Sequence, residues 1–241
     1  MKAEEINVRA VAIGLLIFAV LAGVVLWPRL DLDVSGWFYR PEDGFFLRDD
    51  FLFVAAHFLA HAGARLLGLA FLLLAALAAS QHRLLFGLRA RAWLFLFLAL
   101  LIGPGLVANL VFKDNWGRAR PREIVEFGGP MHFTPALVPA DQCRRNCSFV
   151  NGDGSFGFYL SAFGYVVPPA RSRRWFWGGL GVGTFFGVTR IVMGAHFLSD
   201  TLFAAFFMLL TIAFLHAMMF GRRKTKSLWA NWLFFHEKSA T

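Results

Sequence analysis

The sequence predicts an all-α integral membrane protein, a bundle of six transmembrane helices. Composition, the number of apolar runs and the placement of Lys and Arg point the same way. Of 241 residues, 58% are hydrophobic and 16% charged, with 29 Phe and 8 Trp, too apolar a balance for a soluble domain of this length. A helix crosses about 30 Å of hydrocarbon in roughly 20 residues. Apolar runs near that length fall at about 10–27, 61–80, 91–112, 154–169, 175–195 and 198–220.

No small-residue cleavage site follows the first run before Trp27-Pro28, so it is expected to stay as an anchor. The stretch Phe51 to Ser80 is too long for one crossing. Its first ten residues, after Asp49-Asp50, are expected to lie at the interface as an amphipathic entry, leaving 61–80 to span. The third run ends at Lys113. In the fifth, Gly179, Gly181, Gly183 and Gly187 are read as permitting close helix packing, and the Phe-rich sixth as lipid-facing bulk. With no repeat, low-complexity segment or long linker, residues 1–241 read as one membrane-embedded domain.

Orientation is set by the connections. Lys2 and Arg9, then Arg83, Arg89 and Arg91, then Arg171, Arg173 and Arg174, then Arg222, Arg223, Lys224, Lys226 and Lys238 alternate onto one side. That side, with both termini, is expected in the cytoplasm of a bacterial inner membrane. The third connection, 113–153, lies opposite and is also basic, with Lys113, Arg118, Arg120, Arg122, Arg144 and Arg145. An exception to the charge rule asks for a function. The only two cysteines, Cys143 and Cys147, fall in the same connection, on the side where disulfides persist. They are read as a possible disulfide before Ser148, with two free thiols as the alternative; no further His or Cys nearby completes a zinc site. The net charge of +9 divides between topology and this connection, and no separate basic domain exists to hold nucleic acid.

Three clusters carry candidate chemistry. Lys113 and, seven residues on, Arg120-Pro121 can bracket phosphate oxygens, Arg120 bidentately and Lys113 as a point charge. Headgroup anchoring at a span end is the plainer reading of the same pair. Ser148 to Ser155 includes Asn151, Gly152, Asp153 and Gly154 before the fourth run. Glycine backbone freedom and a helix start could turn amides toward an oxyanion, or Asp153 or Ser155 could simply cap a turn. In the third cluster, Arg190 precedes His196 and Asp200. A histidine with a carboxylate one helical turn later, beside an arginine, supplies a nucleophile, its orienter and a clamp for phosphate charge. Arg190 lies in an apolar run, where a charge is costly unless it faces a polar site.

Lys113-x6-Arg120-Pro121, the Ser148–Ser155 segment and Arg190-x5-His196-x3-Asp200 together resemble the three-part signature of the type 2 phosphatidic acid phosphatase superfamily. The resemblance covers about 110–205 directly, and its Cys143 to Ser155 run is similar to the bacterial lipid A phosphatase branch. It implies a membrane lipid phosphatase working without metal or other cofactor, with its site at the periplasmic face and a phosphohistidine intermediate. Lys113, Arg120 and Arg190 would clamp phosphate, His196 attack and Asp200 orient it. The family's middle motif usually reads Ser-Gly-His, whose histidine protonates the leaving oxygen. Asn151, Gly152 and Asp153 stand there instead. Asparagine can still donate to phosphate, whereas a carboxyl among cations tends to stay ionised. Asp153 or His132 remains as the proton source.

The substrates implied, in order, are lipid A or a precursor at its 1- or 4'-position, an undecaprenyl diphosphate, and phosphatidylglycerol phosphate or phosphatidic acid. A lipid phosphotransferase and a non-catalytic lipid-phosphate binder are the other readings. His57, His61 and Arg65 share a helical face and read as interfacial residues facing a neighbouring helix. Oligomeric state is not legible.

Overall fold

The computed structural model describes residues 8–222 together with 224, 225 and 228. Lys2, Arg223, Lys226 and Lys238, part of the orientation signal, lie outside the described residues, as does the side chain of Arg9. The described chain is mostly helical, with one short hairpin, β1 (Tyr39–Arg40) and β2 (Gly44–Phe45), and a long, largely irregular connection between Lys113 and Gly152. Among the described residues, three helices are long and apolar enough to cross a membrane: Phe51–Ser80, Ala90–Lys113 and Leu198–Phe220. A bent pair, Gly14–Leu26 with Arg29–Gly36, makes a fourth candidate.

Helix α1 (Val8–Leu26) gives way to α2 (Arg29–Gly36) through an 85° bend. Pro28 stands at the corner, where its ring disfavours helical geometry at the residue before it. Helix α3 runs unbroken from Phe51 to Ser80, which corrects the expectation of a separate interfacial entry. The Asp50 carboxylate accepts from Leu52 N at 2.9 Å and caps the first turn, and no proline interrupts the remaining turns.

Helix α4 (Ala90–Leu100) continues as a π-helix over Leu101–Lys113. Pro104 lacks an N–H and sits inside this stretch. Asn109 Nδ2 donates to Pro104 O at 2.8 Å. The fourth run is not one straight helix: α5 (Gly152–Tyr159), a 3-10 turn at Leu160–Ala162 and α6 (Phe163–Val166) succeed one another in series. Pro168 then closes α6 and leads into α7 (Pro169–Val192). Arg171, Arg173 and Arg174 therefore lie in the first turns of α7 and not in a connection. Residues 193–197 form the loop into α8 (Leu198–Phe220).

Backbones meet where α7 crosses α5. A Cβ on Gly179 would stand 2.1 Å from Ser161 N, on Gly183 2.2 Å from Phe158, and on Gly187 2.3 Å from Thr201. These three recur every four residues and so share one face. Gly181 is on the other side with open space around it. Nor is α8 uniformly lipid-facing, because Phe203, Met208 and Ile212 are buried and the Phe203 ring lies 5.5 Å from that of Phe149. The third connection folds over the end of the bundle. Its Cys143 and Cys147 are joined by a disulfide, and Cys147 N and Ser148 N donate to Lys113 O and Arg118 O, each at 2.9 Å.

The α5–α7 contact predicts a steric effect. A Cβ on Gly157 would stand 2.5 Å from Gly183 Cα, so Gly157→Ala should lower stability by about 1–3 kcal/mol, read as a lower Tm of the detergent-solubilised protein.

Candidate active site

A buried guanidinium organises the end of the bundle where the three clusters meet. Arg118 is fully buried. It donates to Asp200 Oδ1 at 2.5 Å, Asp31 Oδ2 at 2.8 Å, Ser199 Oγ at 2.9 Å and Thr134 O at 2.8 Å. Its guanidinium also lies 4.3 Å from the Phe197 ring centroid. Asp31 in turn accepts from Ser199 N and Oγ. One cation thus holds α2, the third connection and the start of α8 together.

Asp200 sits inside that network. Its Oδ2 accepts from Ser148 Oγ and, at 2.9 Å, from Phe197 N, capping the first turn of α8. The same Oδ2 is 3.5 Å from His196 Nδ1, which has no closer partner. The expected pairing of His196 with Asp200 is present as a loose contact, and no protein hydrogen bond is made by Nε2 among the described residues. His196 is buried in the α7–α8 loop, where Ala195 N and His196 N both donate to Arg190 O. Gly194 makes the turn with φ +63°, and a Cβ there would be 2.4 Å from the Phe45 ring. Burial holds the His196 imidazole down from 6.5 to about 3; Lys113 and Arg120 add to this, and Asp200 opposes it.

The three expected phosphate ligands converge around this histidine, and all are buried. Lys113 Nζ donates to Asn146 Oδ1 at 3.1 Å and Arg120 Nη2 to Asn146 O at 2.7 Å, so one residue gathers both cations. Lys113 Nζ also lies 3.2 Å from where a Gly152 Cβ would be. Gly152 matters for that close approach; it is helical and makes no turn. Arg190 Nε is 3.4 Å from Asp153 Oδ2. Among the described residues no carboxylate lies in salt-bridge range of Lys113 or Arg120. Buried positive charge without an anion is costly, and a phosphate would balance it.

Asn151 stands apart from the expected phosphate contact. Its Oδ1 accepts from Gly154 N at 3.0 Å to cap α5, and its Nδ2 donates to Thr201 Oγ1 at 3.0 Å and Gly187 O at 3.3 Å. The side chain is fully buried in helix packing. His132 is exposed in the third connection, its backbone N–H donating to Gln142, and makes no contact with the cluster. Asp153 is paired with His57, whose Nδ1 is 2.6 Å from Oδ2. His57 thus faces a neighbouring helix, as expected, and its partner there is the motif carboxylate. One ring nitrogen each of His57 and His61 and an Asp153 oxygen lie within 4.8 Å of one another. They could approach a cation, but Arg190 already contacts the shared carboxylate.

Sequence reasoning assigned no role to Arg118, Asp31, Ser199, Asn146 or Ser148. Arg118 stood two residues before Arg120 and passed for one more loop cation. Asp31 lies 87 residues from Arg118, with nothing local to mark it. Asn146 takes φ +53°, a conformation asparagine tolerates.

A model of the PAP2 superfamily matches residues 91–224, the stretch from α4 through α8 that holds the whole cluster except Asp31, His57 and His61. The chain belongs to the PAP2 superfamily. A relative from Francisella tularensis subsp. novicida is 34% identical over 209 residues, 83% of this chain and 90% of that protein. Two from Rhizobium match shorter parts of this PAP2 chain. The Rhizobium etli protein is 37% identical over 42% of this chain and 40% of its own length, and the Rhizobium leguminosarum protein 34% over 53% and 55%. All three are named lipid A 4'-phosphatase. No solved structure matches the chain.

Two outcomes test this geometry. Arg118→Met leaves Asp31 and Asp200 buried without their cation and should cost about 3–5 kcal/mol, measured by thermal unfolding. The second concerns pH. Because the folded His196 binds its proton only near pH 3, the unfolded chain takes up a proton that the folded one refuses below about 6.5, so stability falls as pH drops through that window. The Tm of His196→Ala should depend less steeply on pH between 6.5 and 4 than that of the wild type.

Proposed function

We propose that this membrane lipid phosphatase removes the 4'-phosphate of lipid A, or of a precursor, through a phosphohistidine on His196. The observation that carries the reading is the convergence of His196 with three buried cations, Lys113, Arg120 and Arg190, only one of which, among the described residues, has a side-chain ion pair with a carboxylate. The 4'-position is favoured because all three relatives carry that name.

The phosphate enters against Lys113, Arg120 and Arg190, whose charges offset its own. His196 is neutral at working pH, so Nε2 offers a lone pair. It attacks phosphorus in line, the bond to the sugar oxygen breaks, and the departing oxygen takes its proton from an acidic group or water beside it. Asp200, fixed by Arg118, Ser148 and Phe197 N, orients the ring and balances the charge that Nε2 attack places on it. Water then cleaves the phosphorus–nitrogen bond and releases inorganic phosphate. Asp153 lies beside Arg190 at the leaving side.

The protein is further proposed to be a single domain of six spans in the inner membrane, α5–α6 and α7 supplying those beyond the apolar helices, with cytoplasmic termini and the site toward the periplasm. Alternating Lys and Arg support that orientation, as does the Cys143–Cys147 disulfide in the connection over the site.

Purified protein in chelator, given lipid A phosphorylated at both positions, should release one phosphate per lipid, and mass spectrometry should place the loss at 4'. His196→Ala should reduce release about 10³-fold or more. Loss from the 1-position, or headgroup binding without turnover, would contradict the proposal. A topology reporter inserted within 134–141 should read out on the periplasmic side.

A further inference from the structure

The phosphohistidine route leaves the departing sugar oxygen without an assigned proton donor, and α3 holds one that no motif position supplies. Asp153 Oδ2 is shared: His57 Nδ1 lies 2.6 Å from it and Arg190 Nε 3.4 Å. The carboxylate is buried, whereas the His57 side chain keeps 40% of its surface exposed. With Nδ1 held by Asp153, the other ring nitrogen, Nε2, is the atom left to exchange protons. A cavity of about 270 Å³ borders Asp153 and is lined by His61, Arg65, Lys113, Gly152 and Phe156 among others, with His57 behind the carboxylate and outside the lining. It runs along α3 and the π-helix, beside Lys113, and gives the body of a leaving group room next to α3.

We propose that His57 is the general acid of this phosphatase and that Asp153 is its positioning residue, so that proton donation has moved from the middle motif to the second apolar helix. This rests on the phosphohistidine reading of the site. In the first step the imidazolium Nε2–H gives its proton to the leaving oxygen as the phosphorus–oxygen bond breaks and the bond to His196 Nε2 forms. In the second, neutral His57 takes a proton from the attacking water as the new phosphorus–oxygen bond forms and the bond to His196 breaks. His57 ends protonated, as it began. Asp153 accepts from Nδ1 throughout and steadies the charged ring. His57, His61 and Asp153, with His61 Nδ1 3.5 Å from Asp153 Oδ1, have the spacing of a cation site. The Arg190 guanidinium on the shared carboxylate favours the proton role.

The readout is dependence on the leaving group, because a poor leaving oxygen needs a proton and a nitrophenolate does not. Purified full-length His57→Gln should lose about 10²-fold or more in kcat/KM, which covers only the steps through departure of the leaving group, on the sugar phosphate of lipid A, yet less than tenfold in kcat/KM on p-nitrophenyl phosphate. Asp153→Asn should show the same selective loss. His132→Gln should match wild type on both substrates. His196→Ala should fail on both, and retained turnover in that variant would sink the phosphohistidine reading separately. Equal losses on both substrates in His57→Gln, or none on lipid A, overturn the assignment. So does wild-type activity that disappears in chelator and returns with zinc. If His57→Gln fails to fold, judged by its Tm, His57→Asn is put through the same pair of substrates.

Discussion

The site depends on one guanidinium placed between two carboxylates. Arg118 meets Asp200 and Asp31, and all three are buried. A buried ion with its partner removed is costly, whereas a satisfied group is tolerated. The arrangement therefore holds only if α2, the third connection and α8 all arrive together. Asp200 is thereby fixed before it can steer His196, and the bend at Pro28 is what brings Asp31 within reach of Ser199 and Arg118.

Around that ion-paired centre stand cations whose charge is unbalanced. Lys113, Arg120 and Arg190 are buried, and their hydrogen bonds go largely to neutral acceptors such as Asn146 Oδ1, Asn146 O and Met193 Sδ. Neutral acceptors satisfy donors without cancelling charge, so the excess is left for an anion. Arg118 is ion-paired while, among the described residues, Lys113 and Arg120 are not, which divides the basic third connection into a compensated and an uncompensated half.

The glycines of α7 make this geometry possible. Without side chains at 179, 183 and 187, the backbone of α7 comes against α5 and Thr201 of α8, which brings Arg190 to Asp153 and the α7–α8 loop to the mouth of the cluster. On the opposite flank α3 delivers His57 to the same carboxylate. Asp153 is thus the joint between α7, through Arg190, and α3, through His57.

Much of this was legible in order along the chain. The membrane class emerges from composition, and the resemblance to the family from three spaced motifs, which also name the buried residues Lys113, Arg120, Arg190, His196 and Asp200. His196 and Asp200 meet across the start of α8, with His196 in the loop before it. Residues that act across the fold were not legible. Asp31 and His57 meet their partners over separations of 87 and 96 residues, and nothing in their neighbours differs from an ordinary capping or interfacial position. Asn151 shows the converse, a motif position whose amide packing drew into a helix cap. By itself the sequence determined which side chains carry charge and which stretches must be helical in lipid, since both are properties of short segments. Only tertiary structure decided which charges cancel, which stay open to phosphate and which histidine reaches Asp153, because burial and pairing belong to elements that meet solely in the folded chain.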